Sequence, residues 1–164
     1  MDIRPALDSD WPAIWPFFSA IVEAGETYAY PWPIASDEAR SLWMERPPSL
    51  TFVAVEGATI VGSAKSGPNR PGRGSHVATA SFMVDPAYAG RGVGRALGEH
   101  VIAWATAEGY AAMQFNAVVE TNTAAVRLWQ DLGFAIVGTV PGAYESREHG
   151  RVGLHVMYRP LTPS

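Results

Sequence analysis

The sequence predicts an α/β fold in which a mixed, mostly antiparallel central sheet carries helices on both faces. Two observations predict this class. Strand patterns on either side of Glu56-Gly57 form an antiparallel hairpin, and a later strand leads through a glycine turn into a helix pattern, as in a βαβ unit. The 164 residues, 48% of them apolar and 17% charged, suit one domain with a real core and argue against disorder. We therefore treat residues 1–164 as a single domain.

The N-terminal part begins with a strand and continues with two helix patterns. Ile3 to Leu7 is predicted as a strand, and Asp8-Ser9-Asp10 caps a helix that runs to about Glu23. The segment from Glu23 to Ile34 is predicted as an aromatic loop, because prolines interrupt it. Ser36-Asp37-Glu38 then opens a short second helix.

The rest of the chain alternates strands with helices, and the patterns define each boundary. The predicted elements are strands Leu50–Glu56 and Thr59–Ser66, a loop Gly67–Ser75, a strand His76–Val84, a helix from Val93 to about Glu108, a strand Ala111–Val119, a helix from Thr121 or Asn122 to Gly133, and strands Phe134–Val140 and Val152–Tyr158 with a loop between them.

The segment from Phe82 to Leu97 carries the strongest functional signal. Three glycines alternate in Gly90-Arg91-Gly92-Val93-Gly94, between the end of a strand and the start of a helix. Glycine lets the backbone approach a ligand closely, and a helix start offers unpaired N–H groups and partial positive charge. Together with Arg91 and Arg95, this arrangement predicts a site for the phosphates of a cofactor.

Spacing excludes two common phosphate motifs. Counted from Gly90, the place of the P-loop Lys-Ser/Thr pair holds Arg95-Ala96. The third position of the dinucleotide fingerprint falls on Arg95 or Leu97 instead of glycine or alanine. A plain strand-to-helix turn remains as the alternative, although three glycines weaken a helix start without structural gain.

Two motifs resemble the GNAT acetyltransferases. Ala89 to Gly94 is similar to their acyl-CoA pyrophosphate loop, Arg/Gln-x-x-Gly-x-Gly/Ala, with Ala89 at the place of the usual Arg or Gln. Asn122 to Phe134 is similar to their Asn-x-x-Ala…Leu-Tyr-x-x-x-Gly-Phe signature. The order and spacing of both motifs match the family from about Ile3 to Tyr158. The resemblance implies a GNAT-like sheet, acetyl-CoA as co-substrate and N-acetyltransferase activity for one acyl-CoA N-acyltransferase domain.

The resemblance also implies a set of residues that contact the cofactor. The strand before the turn would offer main-chain groups to the pantetheine arm. The amides of the turn would hold the diphosphate. The implied residues are Met83 and Val84 on the strand, Ala89, Gly90, Arg91, Gly92, Val93, Gly94 and Arg95 at the turn, Asn122, which otherwise only caps its helix, and Trp129.

Trp129 departs from the family, which usually has a tyrosine or a histidine there to protonate the leaving CoA thiolate. An indole N–H cannot act as an acid at neutral pH. Either the thiolate leaves unassisted, which a thiol pKa near ~8.5 permits, or another residue such as Tyr144 or Tyr28 supplies the proton. Our hypothesis is that Trp129 shapes the acyl pocket and transfers no proton.

The acceptor side calls for a general base, and three residues are candidates. Glu26, in the Glu26-Thr27 pair, resembles the corresponding pair of phosphinothricin-type small-amine acetyltransferases and is our first choice. Glu120 is a second catalytic candidate, although it also suits charge compensation at a helix start. His76 begins a strand, and the alternative is that it is simply a surface residue. Tyr28 and Tyr30 in the aromatic loop are predicted either to line the acceptor pocket or to plug the core.

Composition narrows the chemistry further. The chain has no cysteine, which excludes disulfides and a thiol acyl carrier, so direct attack by a primary amine in a ternary complex is the simplest route. The four histidines lack metal-ligand spacing, and a net charge of −4 argues against nucleic acid. No apolar run is long enough for a membrane span. We expect a cytoplasmic enzyme that acts on a small-molecule or peptide amine. A homodimer is a possible assembly. The alternative is a CoA-binding sensor or structural module without turnover.

Overall fold

The computed structural model describes residues 1–161, and its elements follow the predicted order. The elements are β1 (Asp2–Pro5), α1 (Trp11–Ala24), α2 (Ser36–Trp43), β2 (Leu50–Glu56), β3 (Thr59–Pro68), β4 (Val77–Val84), α3 (Val93–Ala107), β5 (Ala112–Val119), α4 (Thr123–Asp131), β6 (Ala135–Ser146) and β7 (Gly150–Pro160). Most boundaries agree with the sequence patterns to within about two residues, the usual uncertainty of helix ends.

Within residues 1–161 the strands form one seven-stranded sheet in the order β1-β2-β3-β4-β5-β7-β6. Every neighbouring pair is antiparallel except β4 and β5, which run parallel because α3 connects them. The predicted fold class, a mixed and mostly antiparallel sheet, is therefore confirmed.

The helices cover both faces of this sheet. Phe52 and Val53 are successive residues of β2, and their side chains point to opposite faces. Phe52 packs in a cluster with Leu97 of α3, whereas Val53 packs in a second cluster with Phe18 of α1 and Trp43 of α2. Each face of the sheet thus has its own apolar core.

Strands β4 and β5 separate soon after they meet. Although each strand has eight residues, they pair only at Val77 with Ala112 and at Ala78 with Met113. Beyond these two pairs the strands diverge, and the sheet opens towards the glycine turn. This gap is the structural basis of the candidate site.

One sequence-based boundary was wrong. We expected a loop between Val140 and Val152, but β6 continues to Ser146 and β7 begins at Gly150. The register shifts between Val140 and Tyr144, and this irregularity accommodates Pro141 and Gly142. Proline is tolerated there because β6 is the edge strand, where a missing N–H leaves no ladder partner unpaired. The correction matters because it brings Tyr144 and Ser146 to the inner end of a hairpin, where both are buried.

Candidate functional site

The gap between β4 and β5 opens into a cavity of about 1020 Å³. At one end the cavity is bounded by the glycine turn and the first residues of α3. At the other end it is bounded by the aromatic loop around Tyr28 and Tyr30. Two segments that the sequence analysis selected separately therefore share one cavity.

The glycine turn has a backbone that only glycine adopts without strain. Gly90 and Gly92 have φ angles of +76° and +81°. Gly92 also occupies the N-cap position of α3 without a side-chain cap. A Cβ atom placed on either glycine would meet no atom within 4 Å. Their role is thus conformational, and the amides at the start of α3 remain without a side-chain acceptor.

The two arginines beside the turn already have partners in the protein. Arg95 lines the cavity, and its guanidinium lies 3.3 Å from Asp131 and 3.9 Å from Glu99. The Arg91 guanidinium carbon lies 5.2 Å from the centre of the Tyr88 ring. These contacts orient both cations on the turn, and their direct contact with phosphate stays a prediction.

A hydroxyl from the aromatic loop forms hydrogen bonds with the edge of β4. The Tyr28 hydroxyl donates to the Phe82 carbonyl at 2.6 Å and accepts from the Phe82 N–H at 2.8 Å. Asp85 instead donates its N–H to Val61 in β3 at 2.9 Å. Because main-chain groups alternate in direction along a strand, Phe82 and Val84 face the gap while Met83 faces β3. Met83 borders the cavity but its main chain belongs to the sheet, and its contact with the cofactor stays a prediction.

Trp129 forms part of the apolar wall of the cavity. Its ring centre lies 4.6 Å from that of Phe82 and 4.9 Å from that of Phe115, and the residue is only 7% exposed. It packs across α3 at Gly98, where a Cβ atom would come within 3.0 Å of the indole. This close approach explains a glycine inside α3, and it gives Trp129 a packing role.

Asn122 occupies the N-cap position of α4, but its side chain makes no capping hydrogen bond. The residue lines the cavity. The capping alternative is therefore not realised by the side chain, and the amide stays available on the cavity wall.

Glu26 has a structural partner on each carboxylate oxygen. The Ser146 hydroxyl donates to one oxygen at 2.6 Å, and the Glu148 N–H donates to the other at 2.8 Å. The Ser146 hydrogen bond is the main reason why the pKa of Glu26 is lowered, with a further contribution from Glu148. Glu26 is absent from the described residues that line the cavity. Its contacts tie the aromatic loop to the β6–β7 turn and make it a poorer base.

Glu120 likewise bonds to the sheet. Its carboxylate accepts the Gly153 N–H at 2.7 Å, and its own N–H donates to the Gly153 carbonyl at 3.0 Å. It thus bridges β5 and β7, a role that neither of the two sequence-based interpretations included. His76 lies just before β4, where its carbonyl accepts the Ala111 N–H at 2.9 Å. Among the described residues, neither Glu120 nor His76 lines the cavity.

Tyr28 and Tyr30 lie between the cavity and the core, and their contact with an acceptor stays a prediction. Their rings stack at 5.7 Å and both line the cavity, while Tyr28 also meets Trp43 edge-on at 6.5 Å. Burial raises the pKa of both phenols, so the two hydroxyls stay protonated at neutral pH. Trp32, the third aromatic residue of this loop after Tyr28 and Tyr30, is 44% exposed.

Sequence reasoning missed Lys65 and Glu45 at the aromatic end of the cavity. The Lys65 ammonium donates to the Leu42 carbonyl at 2.6 Å and to Glu45 at 3.1 Å, and it lies 5.6 Å from the Trp43 ring. A signal was available, since Lys65 is the single lysine of the sequence and stands in an otherwise uncharged strand. An isolated charge in such a strand points to a partner or a cavity.

Three further features concern residues 1–161. The Thr27 hydroxyl, beside Tyr28, is the buried polar side-chain atom in this range that lacks a hydrogen-bond partner. Over the same range, no cluster of three or more histidine, aspartate or glutamate side chains is arranged to hold a metal ion. Nor is any helix in the described part long and apolar enough to cross a membrane.

Comparison with known proteins places this site in a family context. The profile of the Acetyltransferase (GNAT) family matches residues 11–134. A GCN5-related N-acetyltransferase structure from Kribbella flavida is 60% identical, with a TM-score of 0.94 over 97% of this chain and 96% of that one. The structure of yncA from Salmonella typhimurium with its cofactor acetyl-CoA is 27% identical, with a TM-score of 0.83 over 100% of this chain and 95% of that one. The N-acetyltransferase aca1 of Schizosaccharomyces pombe is 27% identical over 81% of this chain and 71% of its own.

Proposed function

The chain belongs to the GNAT acetyltransferase family, and from that premise we propose that it transfers an acetyl group from acetyl-CoA to a primary amine. One observation carries the proposal: a single cavity joins the glycine turn to the aromatic loop across the β4–β5 gap. Such a cavity admits donor and acceptor together, which suits direct attack in a ternary complex.

The residues of the donor end fit the chemistry of acetyl-CoA. The backbone has positive φ angles at Gly90 and Gly92, and the amides at the start of α3 have no side-chain acceptor. Both features suit a diphosphate. Val84 faces the gap with its main chain, as an extended amide arm requires of a strand edge. Asn122 and Trp129 flank this path. The proposed contacts thus depend on main-chain donors more than on the missing arginine at Ala89.

The proton of the attacking amine needs an acceptor. Glu26 and Glu120 are committed to Ser146 and Gly153, so we propose that water in the open cavity accepts this proton. A main-chain N–H on the cofactor strand β4 would stabilise the negative oxygen formed on attack. The CoA thiolate then leaves without a general acid, since a thiol with a pKa near ~8.5 is a good leaving group.

The acceptor is a small-molecule or peptide amine, and the narrower resemblance to phosphinothricin-type enzymes depends on Glu26-Thr27 alone. The single acyltransferase domain and the cytoplasmic location also remain proposals. Fractionation of cells that express a tagged chain would test the location.

We further propose that the functional unit is a homodimer joined along β6. This strand is the last one of the sheet, and the side chains from Ala135 to Ala143 are all exposed. Val137 and Val140 are 68% and 54% exposed, and this stretch contains no charged residue. Two copies of β6 related by a two-fold axis would bring no like charges together. Their pairing would cover an exposed strand edge, which proteins otherwise protect.

A thiol-release assay with acetyl-CoA and a panel of amines tests the proposed activity. We expect release that depends on the amine and on the enzyme, with acetylated amine confirmed by mass spectrometry. A Gly92→Val variant is the matched control, because a β-branched residue cannot adopt the +81° φ angle that opens the turn. Tight acetyl-CoA binding without release for any amine would instead support the sensor.

A further inference from the structure

The Tyr28 hydroxyl forms hydrogen bonds with both main-chain groups that Phe82 presents to the β4–β5 gap. The bonds of 2.6 Å and 2.8 Å are short and reciprocal, so the phenol acts on Phe82 as a neighbouring strand would. The ring lies half-buried at the end of the cavity that the aromatic loop forms.

Tyr28 is itself held on several sides. Its ring stacks on Tyr30 and meets Trp43 edge-on, and its main-chain carbonyl accepts the Tyr144 hydroxyl at 3.1 Å. Tyr144 is 6% exposed and comes from β6, on the far side of the gap. A side chain fixed in this way places its hydroxyl reproducibly on the edge of β4.

The position of this hydroxyl limits how much of β4 a ligand can use. Along a strand, the groups that face one side recur at every second residue, about 6.7 Å apart. On the gap side these residues are Val84, near the glycine turn, and then Phe82. Because the Tyr28 hydroxyl already bonds to Phe82, an extended arm that enters from the turn can pair with the main chain of Val84 but not with that of Phe82.

We infer that Tyr28 is a positioning residue that ends the usable edge of β4 at Val84, and that it thereby sets how far the acyl arm enters the cavity. The inference rests on the proposed function, because it specifies where the thioester stops in front of the amine. It assigns Tyr28 no contact with the reacting atoms and no proton transfer. It also gives the phenol a function that the sequence analysis left open between pocket and core.

Loss of the hydroxyl makes a distinctive prediction. In Tyr28→Phe the ring can keep its packing, but the Phe82 N–H and carbonyl become available for pairing. The arm gains a further pair of hydrogen-bonding groups, so coenzyme A affinity is retained or increased. The thioester is then held in a mixture of positions, and we expect kcat to fall by about tenfold to a hundredfold. A purely structural loss would weaken affinity and kcat together.

Tyr110→Phe is the matched control. Tyr110 also packs its ring on an aromatic neighbour, Trp104 at 6.0 Å, but it does not line the cavity and takes no part in the bonds to Phe82. Amine-dependent thiol release gives kcat, titration calorimetry gives the Kd of coenzyme A, and near-ultraviolet circular dichroism reports the aromatic packing of each variant. We expect Tyr110→Phe to keep kcat and Kd within about threefold of the wild type.

The outcomes separate the inference from the proposed function. If Tyr28→Phe keeps the wild-type kcat, or if both variants lose kcat equally, the positioning role is overturned. The same holds if Tyr28→Phe weakens coenzyme A binding, even where no amine serves as acceptor. If the wild type binds coenzyme A but releases no thiol with any amine, the proposed function fails. The affinity of Tyr28→Phe then still decides whether Tyr28 closes the edge.

Discussion

At the scale of single residues, Trp129 stands where the family usually has a proton donor, but its surroundings are apolar. Its indole packs on Phe82 and Phe115 and across Gly98 of α3. A side chain held in this way suits the role that we propose for Trp129, which is to shape the acyl pocket. Packing of this kind is sensitive to a change in side-chain volume.

Replacement of Trp129 by Phe tests whether it transfers a proton. We expect kcat to fall by less than about tenfold, because an aromatic ring is retained and no proton donor is lost. Trp129→Tyr is the control, since it supplies a phenol at the same place. A loss above ~100-fold in Trp129→Phe with intact folding, restored by Trp129→Tyr, would show that a donor is needed there.

Residues also differ in how far the sequence alone could predict them. The glycines of the turn were predictable because their spacing reflects local backbone geometry. The structural role of Glu26 was not, because its partners Ser146 and Glu148 are about 120 positions away along the chain. Lys65 lay between these cases, since its isolation in an uncharged strand was visible but its partner was not.

At the scale of elements, Glu26 connects the aromatic loop to the turn between β6 and β7. The loop therefore depends on a carboxylate for its place beside the cavity. Because hydrogen bonds lower the pKa of Glu26 in the folded chain, its stabilising effect is complete above the ordinary glutamate pKa of ~4.3. This stabilisation is lost as the pH falls through the lowered pKa that Glu26 has in the folded chain.

Glu26→Gln should therefore unfold at a lower temperature than the wild type at pH 7, and the difference should shrink towards pH 3. Thermal unfolding at both pH values measures this, with Ser146→Ala as a control that removes the main donor. The pH dependence of kcat should keep its shape in Glu26→Gln. A basic limb that disappears in this variant would restore Glu26 as the general base.

The same scale explains the one predicted element that was wrong. Pro141 and Gly142 are strong turn signals, and local reading of the sequence ended the strand before them. The strand continues because β6 has a neighbour on one side only and β7 pairs across the irregularity. Edge position is a property of the whole sheet, so the local pattern could not indicate it.

At the scale of the whole molecule, the homodimer proposal concerns a surface that no element of residues 1–161 covers. We expect the wild type to sediment as a dimer and Val137→Asp to sediment as a monomer, because the two-fold axis would bring two buried carboxylates together. Val137→Thr, which keeps β-branching without charge, should remain dimeric. A monomeric wild type at micromolar concentration, or a dimeric Val137→Asp, would contradict the proposal.

The fold class followed from the sequence, but the order of the strands did not. A hairpin and a βαβ unit are local patterns, whereas the insertion of β7 between β5 and β6 depends on pairing across the whole sheet. The depth of the gap between β4 and β5 was equally invisible, since nothing in either strand marks where their pairing stops.

The short pairing of β4 with β5 has a mechanical consequence. Within the described chain it divides the sheet into a four-stranded part and a three-stranded part, joined along the hydrogen-bonded direction by two residue pairs. A molecule lying in the gap touches both parts and holds them together. The resistance of the fold to heat should then vary with the concentration of the bound compound, as it does for any ligand that binds only the native state. Under the proposed function that compound is a substrate, and it stabilises the sheet where β4 and β5 share only these two pairs.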